Sequence, residues 1–260
     1  MKELLLTLLI TLLSLLPSFV FGKTVKPTVE RIDASLQKKT TALNPEYLLF
    51  QIGSARKEAQ PLLIYLHGGG GKGDDIRRIE PQVWQLTDGI QRFQKEPCLI
   101  VAPQCLRQSK MGERATWNHL DLNILLAHLK ATLPIDVTRI YLTGNSMGGF
   151  GSWMWGGNNP EHFAAIAPIV GGIGYGGPKD ITKDLNAWAA NLAKVPVFAF
   201  VGALDKVVPA DRSERMVAAI RKAGGEQVRF RNYPDEGHNA RQVTYRSAEF
   251  YEWLFKQKRN

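Results

Sequence analysis

From residue 60 onward, short runs that are apolar at nearly every position alternate with stretches patterned like helices. Leu62–Leu66, Leu99–Ala102, Ile140–Thr143, Phe163–Val170 and Val197–Val201 are such runs, and Val228–Tyr233 closes the series before Pro234. Each ends at a glycine or proline, or within a residue or two of one. Apolarity without alternation suits strands buried on both faces, and such strands pair in parallel, because crossover helices are what cover both faces. The helical patterns lie between them. Leu122, Leu125, Leu126 and Leu129 share one face ahead of Pro134. Met216, Val217 and Ile220 share another, closed by Arg221, Lys222 and Gly224-Gly225. Phe250–Phe255 belongs to a last amphipathic helix. The β-α-β-α order predicts an α/β fold with a mostly parallel, doubly wound sheet. Residues 28–52 are expected to add one or two leading antiparallel strands. The longest gap, Gly171–Lys194, is too short for a large cap, so any lid is short and the site open.

The first residues do not fit this scheme. Lys2, the apolar stretch Leu4–Leu16, Pro17 and Val20-Phe21-Gly22 have the anatomy of a secretory signal peptide. The stretch is shorter than the ~20 residues that a membrane span needs, which disfavours an uncleaved anchor. The expected organisation is therefore a leader over 1–22 and a single catalytic domain over 23–260, secreted or periplasmic. The only cysteines are Cys98 and Cys105. Export permits a disulfide, but an extended strand between them would hold them roughly 23 Å apart, so they are expected to be free, buried thiols. The formal net charge is +9. The basic residues are scattered and no cluster interleaves with aromatics, which argues against nucleic-acid binding; a solvated basic surface or affinity for an anionic envelope or polysaccharide are the readings that remain. Nothing in the sequence sets an oligomeric state.

Gly144-Asn145-Ser146-Met147-Gly148 matches G-x-S-x-G, between the predicted strand Ile140–Thr143 and a helix expected from Gly149 to about Gly156. That is the context in which the motif makes a nucleophile. Flanking glycines let the chain turn sharply, the serine is lifted off the sheet, and the new helix's N-terminus favours developing negative charge. His67-Gly68-Gly69-Gly70-Gly71 follows another strand end. A backbone N–H there, Gly69 in preference to Gly68 or Gly70, would form an oxyanion hole with the N–H of Met147. A phosphate loop is excluded, since Gly71-Lys72 is followed by Gly73 where Ser or Thr is required. The G-x-G-x-x-G match over residues 172–177 lacks the acidic residue of a dinucleotide site.

A serine nucleophile at such a turn needs a histidine base and an acid to orient it. Only His162 and His238 follow Ser146, and His238 lies in the polar loop just after the last strand. Of Asp180, Asp184, Asp205, Asp211 and Asp235, only Asp205 follows a strand's C-terminal end; Asp211 reads as a helix-start residue, and Asp235 is too near His238 in sequence to face its ring. Ser146, Asp205 and His238 are the predicted triad, in the chain order of α/β-hydrolases. His67 reads as structural.

These segments resemble the small bacterial α/β-hydrolases known as predicted peptidases and esterases, near the dienelactone-hydrolase, feruloyl-esterase and polyhydroxybutyrate-depolymerase-like families. Leu66–Gly70, Ala102-Pro103-Gln104-Cys105, Arg139–Gly149, Gly202–Pro209 and Glu236-Gly237-His238-Asn239 carry the resemblance. It implies the same triad without settling the substrate; a carboxylic ester is the expected one, and no cofactor or metal is expected, since the sequence has no H-E-x-x-H and no Cys/His cluster with zinc spacing. It leaves open a serine peptidase or amidase, or a non-catalytic binding module on the same fold; the large propeller of the prolyl oligopeptidases is missing, which weakens peptide cleavage. On the substrate side, Trp117 is a candidate wall for an acyl or aromatic pocket, with packing on the following helix the alternative, and Gln104 a candidate hydrogen-bonding group.

Overall fold

A computed structural model describes residues 25–54, 58–175 and 177–259; the predicted leader lies outside them. In chain order the elements are β1 (Thr28–Arg31), α1 (Ala34–Gln37), β2 (Leu43–Ile52), β3 (Gln60–Leu66), α2 (Glu80–Phe93), β4 (Cys98–Cys105), α3 (His119–Thr132), β5 (Ile135–Asn145), α4 (Met147–Asn158), β6 (Ala165–Ile169), α5 (Leu185–Leu192), β7 (Val197–Gly202), α6 (Asp211–Lys222), β8 (Val228–Tyr233), α7 (Arg241–Tyr245) and α8 (Ala248–Lys256). The strands form one sheet in the order β1-β2-β4-β3-β5-β6-β7-β8. β1 and β2 are antiparallel to their neighbours and β3 through β8 run parallel.

Period-two alternation along the strands splits the core into two layers. Leu62, Ile64 and Leu66 face the layer built by α3, α4, α5 and α6, while Leu63 and Tyr65 face the layer of α2, α7 and α8. Every residue of β3 and β4 is buried, as the unbroken apolar runs require. β8 is different. Its Arg229 and Arg231 point outward and share Glu249 of α8, at 2.5 and 2.8 Å. Charged side chains on an edge strand discourage pairing with another chain.

Cys98 and Cys105 are free and buried, at opposite ends of β4. Seven positions is an odd number, so they also face opposite layers. Burial pushes both thiols up to about 12, which keeps them protonated and unreactive. No helix among the described residues is long and apolar enough to cross a membrane.

Candidate active site

The site lies at the C-terminal ends of the parallel strands, where open α/β sheets place their ligands. Ser146 stands between β5 and α4, at the N-cap of the helix. Its φ of 57° and ψ of −116° put a non-glycine residue in the left-handed half of conformational space, a strained state that persists only where the surroundings impose it. Those surroundings are identifiable. The Ser146 N–H donates to the Ile169 carbonyl at 3.0 Å, tying the turn to the end of β6. Gly148 presses α4 onto β3: a Cβ there would lie 1.8 Å from the Leu66 carbonyl oxygen. The glycine-rich stretch Met147–Asn158 is a poor helix by propensity. It is helical because ten of its residues are buried against the sheet and neighbouring helices.

Asp205 follows β7 and His238 follows β8, and the backbone ties their loops together. The Leu204 N–H donates to the Glu236 carbonyl at 2.9 Å, and the Ala203 N–H to Tyr233 at 2.9 Å. Gly202 permits this closeness, since a Cβ would lie 2.4 Å from the carbonyl oxygens of Glu236 and Gly237.

The three predicted triad residues come together. His238 Nδ1 lies 2.8 Å from Asp205 Oδ2, and His238 Nε2 lies 2.9 Å from Ser146 Oγ. A carboxylate only accepts hydrogen bonds, so Nδ1 carries the ring proton and Nε2 is left to accept from the serine hydroxyl. The other Asp205 oxygen accepts from the N–H groups of Val207 and Val208 at 2.8 and 2.9 Å. Burial pushes the Asp205 carboxyl up, but the hydrogen bonds from His238, Val208 and Val207 outweigh it and hold the group below the usual carboxylate range. The aspartate is thus kept ionised and fixed in orientation.

The rival acids are elsewhere. Asp211 is in the first turn of α6, paired with Arg212 at 2.6 Å and Arg215 at 3.3 Å. Asp180 and Asp235 are exposed, and Asp184 packs with Thr182 before α5. His67 is fully buried, and both ring nitrogens are engaged: Nδ1 donates to the Gly68 carbonyl at 2.6 Å and Nε2 accepts from the Cys105 N–H at 3.0 Å. Burial lowers it to about 4 against the effect of the Gly68 bond. It is a neutral strut under the glycine loop. Gly69, in the tight turn after β3, and Met147, the first residue of α4, line one cleft with Ser146. As a first helical residue Met147 has an N–H with no acceptor four residues back.

Two substrate-side expectations need correction. Trp117 is buried, not a pocket wall: its indole N–H donates to the His67 carbonyl at 3.2 Å, and its ring lies against the His67 ring with centroids 4.8 Å apart. Gln104 is fully buried, with its amide N–H groups donating to Gly71 and Asp75 carbonyls at 2.9 Å and its oxygen accepting from Asn44 at 2.7 Å. Gln104 belongs to β4, which runs past Pro103 to Cys105, and Trp117 to the segment just before α3; both face inward, where they hold the glycine loop. The cleft itself has a volume of ≈ 550 Å³. Phe150, Tyr175, Pro178, Val207 and Val208 are among its apolar lining residues. Sequence reasoning did not single these out; Tyr175 and Pro178 stand in the Gly171–Lys194 gap that it marked as a short lid.

The prolyl oligopeptidase family matches residues 178–259, a stretch that holds Asp205 and His238 but not Ser146. A carboxymethylenebutenolidase-named protein of Escherichia coli O157:H7 is 35% identical over 109 residues, 40% of this chain and 37% of that one. Poly(3-hydroxyalkanoate) depolymerase C of Paucimonas lemoignei is 28% identical over 123 residues, 43% of this chain and 28% of the relative. The alignments therefore span well under half the length of these relatives. Among solved structures, a thermostable esterase superposes with a TM-score of 0.68 at 25% identity, over 91% of this chain and 64% of that one. A ferulic acid esterase superposes at 0.62 and 16% identity, over 90% and 99%, a likeness of fold alone. The chain carries the α/β-hydrolase fold and resembles its dienelactone-hydrolase-like, depolymerase and esterase branches.

Proposed function

We propose that the chain hydrolyses carboxylic esters through a serine acyl-enzyme. The observation that carries this reading is the unbroken hydrogen-bond chain Asp205–His238–Ser146 at a strained strand-to-helix turn. In it, His238 Nε2 takes the Ser146 proton as Oγ attacks the ester carbonyl. The N–H groups of Met147 and Gly69 receive the developing oxyanion. The imidazolium, steadied by Asp205, returns its proton to the leaving alcohol, and water then releases the acid by the same steps in reverse. Likeness to esterases favours an ester as substrate; the partial match to prolyl oligopeptidases supports a second reading, amide cleavage by the same residues. A short-chain p-nitrophenyl ester and its matched p-nitroanilide separate the two. Fast cleavage of the ester with the anilide left intact is expected. Comparable rates on both would favour the peptidase.

The apolar stretch before residue 23 supports export, with residues 1–22 removed. N-terminal sequencing of protein recovered from the periplasm or medium is expected to read from near Lys23. Retention of the first residues on a membrane-bound product would mean an anchor instead.

A further inference from the structure

Asn145 stands one residue before the nucleophile, at the last position of β5, and is buried. Its side chain meets Tyr65 of the neighbouring strand β3: the Tyr65 hydroxyl donates to Asn145 Oδ1 at 2.7 Å. Tyr65 is fully buried. Packing alone would be served by a phenylalanine there, whereas a buried hydroxyl has to be partnered. The Arg241 guanidinium lies beside the same hydroxyl. Burial pushes the Tyr65 phenol up, and the Arg241 charge and a hydrogen bond from Arg241 oppose that. Arg241 is the first residue of α7, in the segment that carries His238, and its Nη1 also donates to the Gln82 carbonyl at 3.4 Å.

These contacts have a fixed direction. A guanidinium only donates, so the Tyr65 oxygen accepts from Arg241 and its own proton goes to Asn145. Asn145 presents Oδ1 to Tyr65, and its Nδ2 end lies against the glycine loop. A Cβ on Gly68 would be 3.0 Å from Asn145 Nδ2 and 3.5 Å from Ser146 Cβ.

Three segments meet around Ser146: the glycine loop after β3, the nucleophile turn after β5 and the His238 loop after β8. The triad joins the second to the third. Arg241, Tyr65 and Asn145 join all three within the core. Buried hydrogen bonds in series polarise one another and stiffen what they connect. An oxyanion hole works only if its donors are in place before charge develops, and the consecutive glycines 68–71 have little conformational preference of their own. His67 and Gln104 brace that loop through its Gly68 and Gly71 carbonyls. Asn145 braces it from the side of the nucleophile.

We infer that Asn145 is a positioning residue: held by Tyr65 and Arg241, its amide keeps the Gly68–Gly69 backbone in register with Ser146 for oxyanion binding. The inference rests on the proposed ester hydrolysis for its reaction.

Asn145→Ala, Tyr65→Phe and the double variant test it. Asn145→Ala is expected to lower kcat on a short-chain p-nitrophenyl ester by about 10- to 100-fold, with KM within about twofold of the parent. Tyr65→Phe keeps the ring and loses only the hydroxyl, and should lower kcat by about tenfold. The double variant should be no slower than Asn145→Ala, because the two residues act as one unit. Phenylboronic acid, which adds to Ser146 Oγ as a tetrahedral adduct, should bind each variant more weakly by a factor that tracks kcat. The pH at which activity rises should stay that of the parent, since Asp205 and His238 are untouched. A residue that only stabilised the fold would lower Tm and leave kcat and boronate affinity of the folded protein alone. That result, or a kcat within about threefold of the parent in folded Asn145→Ala, overturns the inference. Should Asn145→Ala not fold, Tyr65→Phe is judged by the same measurements. If the parent cleaves no ester, the proposed reaction fails, and the positioning is read from fluorophosphonate labelling of Ser146, which uses the same oxyanion hole. Labelling at least about tenfold slower in the variants then supports the inference, and equal labelling, or none in the parent, overturns it.

Discussion

Ser146→Ala is expected to lower kcat on a short-chain ester by roughly 10⁴- to 10⁶-fold and to leave the folded structure unchanged. The magnitude follows from what is lost. Without Oγ no acyl-enzyme forms, and the residual rate over water comes only from oxyanion stabilisation and binding. The fold survives because among the described residues the hydroxyl has one partner, His238 Nε2, and the turn is held by groups that alanine retains. The Ser146 N–H still reaches Ile169, the Phe150 N–H still reaches the residue 146 carbonyl at 2.9 Å, and Gly148 still packs on Leu66. Alanine must accept the same φ of 57°, at a strain comparable to that of serine. Circular dichroism and thermal melting should overlay the parent. Retention of more than about a tenth of the parent's kcat by the folded variant would rule out Ser146 as the nucleophile.

Asp205→Asn should lower kcat by about 10⁴-fold with little change in KM. The geometry explains why so small a change has so large an effect. Oδ1 must go on accepting from Val207 and Val208, so the new amide would turn its NH₂ toward His238 Nδ1. Two donors cannot face each other, and the ring would shift its proton to Nε2. That nitrogen could then no longer accept from Ser146. Asp211→Asn loses only pairings with Arg212 and Arg215 on the surface of α6 and should stay within a few-fold of the parent. Asp235 is exposed and its replacement by Asn should also leave kcat near the parent. An active Asp205→Asn beside a dead Asp211→Asn or Asp235→Asn would mean that another acid orients the histidine.

Much of this arrangement was legible because buried parallel strands announce themselves twice, by unbroken apolarity and by the turn residues that end them. β3, β4, β5, β6 and β7 were each anticipated, although β5 begins at Ile135, five residues ahead of the run that revealed it. Asp205 and His238 lie 33 residues apart, yet each follows a strand end, and adjacent parallel strands bring their C-terminal loops together. α2 was not foreseen. Pro81, Thr87 and Gly89 weaken its helical signal, and Gly89 is there for packing: a Cβ would lie 2.0 Å from the Tyr251 hydroxyl. Trp117 was misplaced because sequence position locates a loop but not which of its side chains face inward, and Gln104 because β4 runs past Pro103 to Cys105. Lys72, Arg107 and Arg114, which also line the cleft, were missed for a related reason. Lys72 and Arg107 are far apart in the chain, and the fold alone makes them neighbours of one cleft.

The most direct test of Ser146 as an activated nucleophile is labelling with a fluorophosphonate, which reacts with a serine only when a base activates it. The native protein should gain one phosphonyl group, mapped by tandem mass spectrometry to Ser146, with ester hydrolysis lost in proportion to labelling. His238→Ala should label far more slowly. Adduct on any other residue, or full esterase activity in protein that takes up no label, would contradict the assignment.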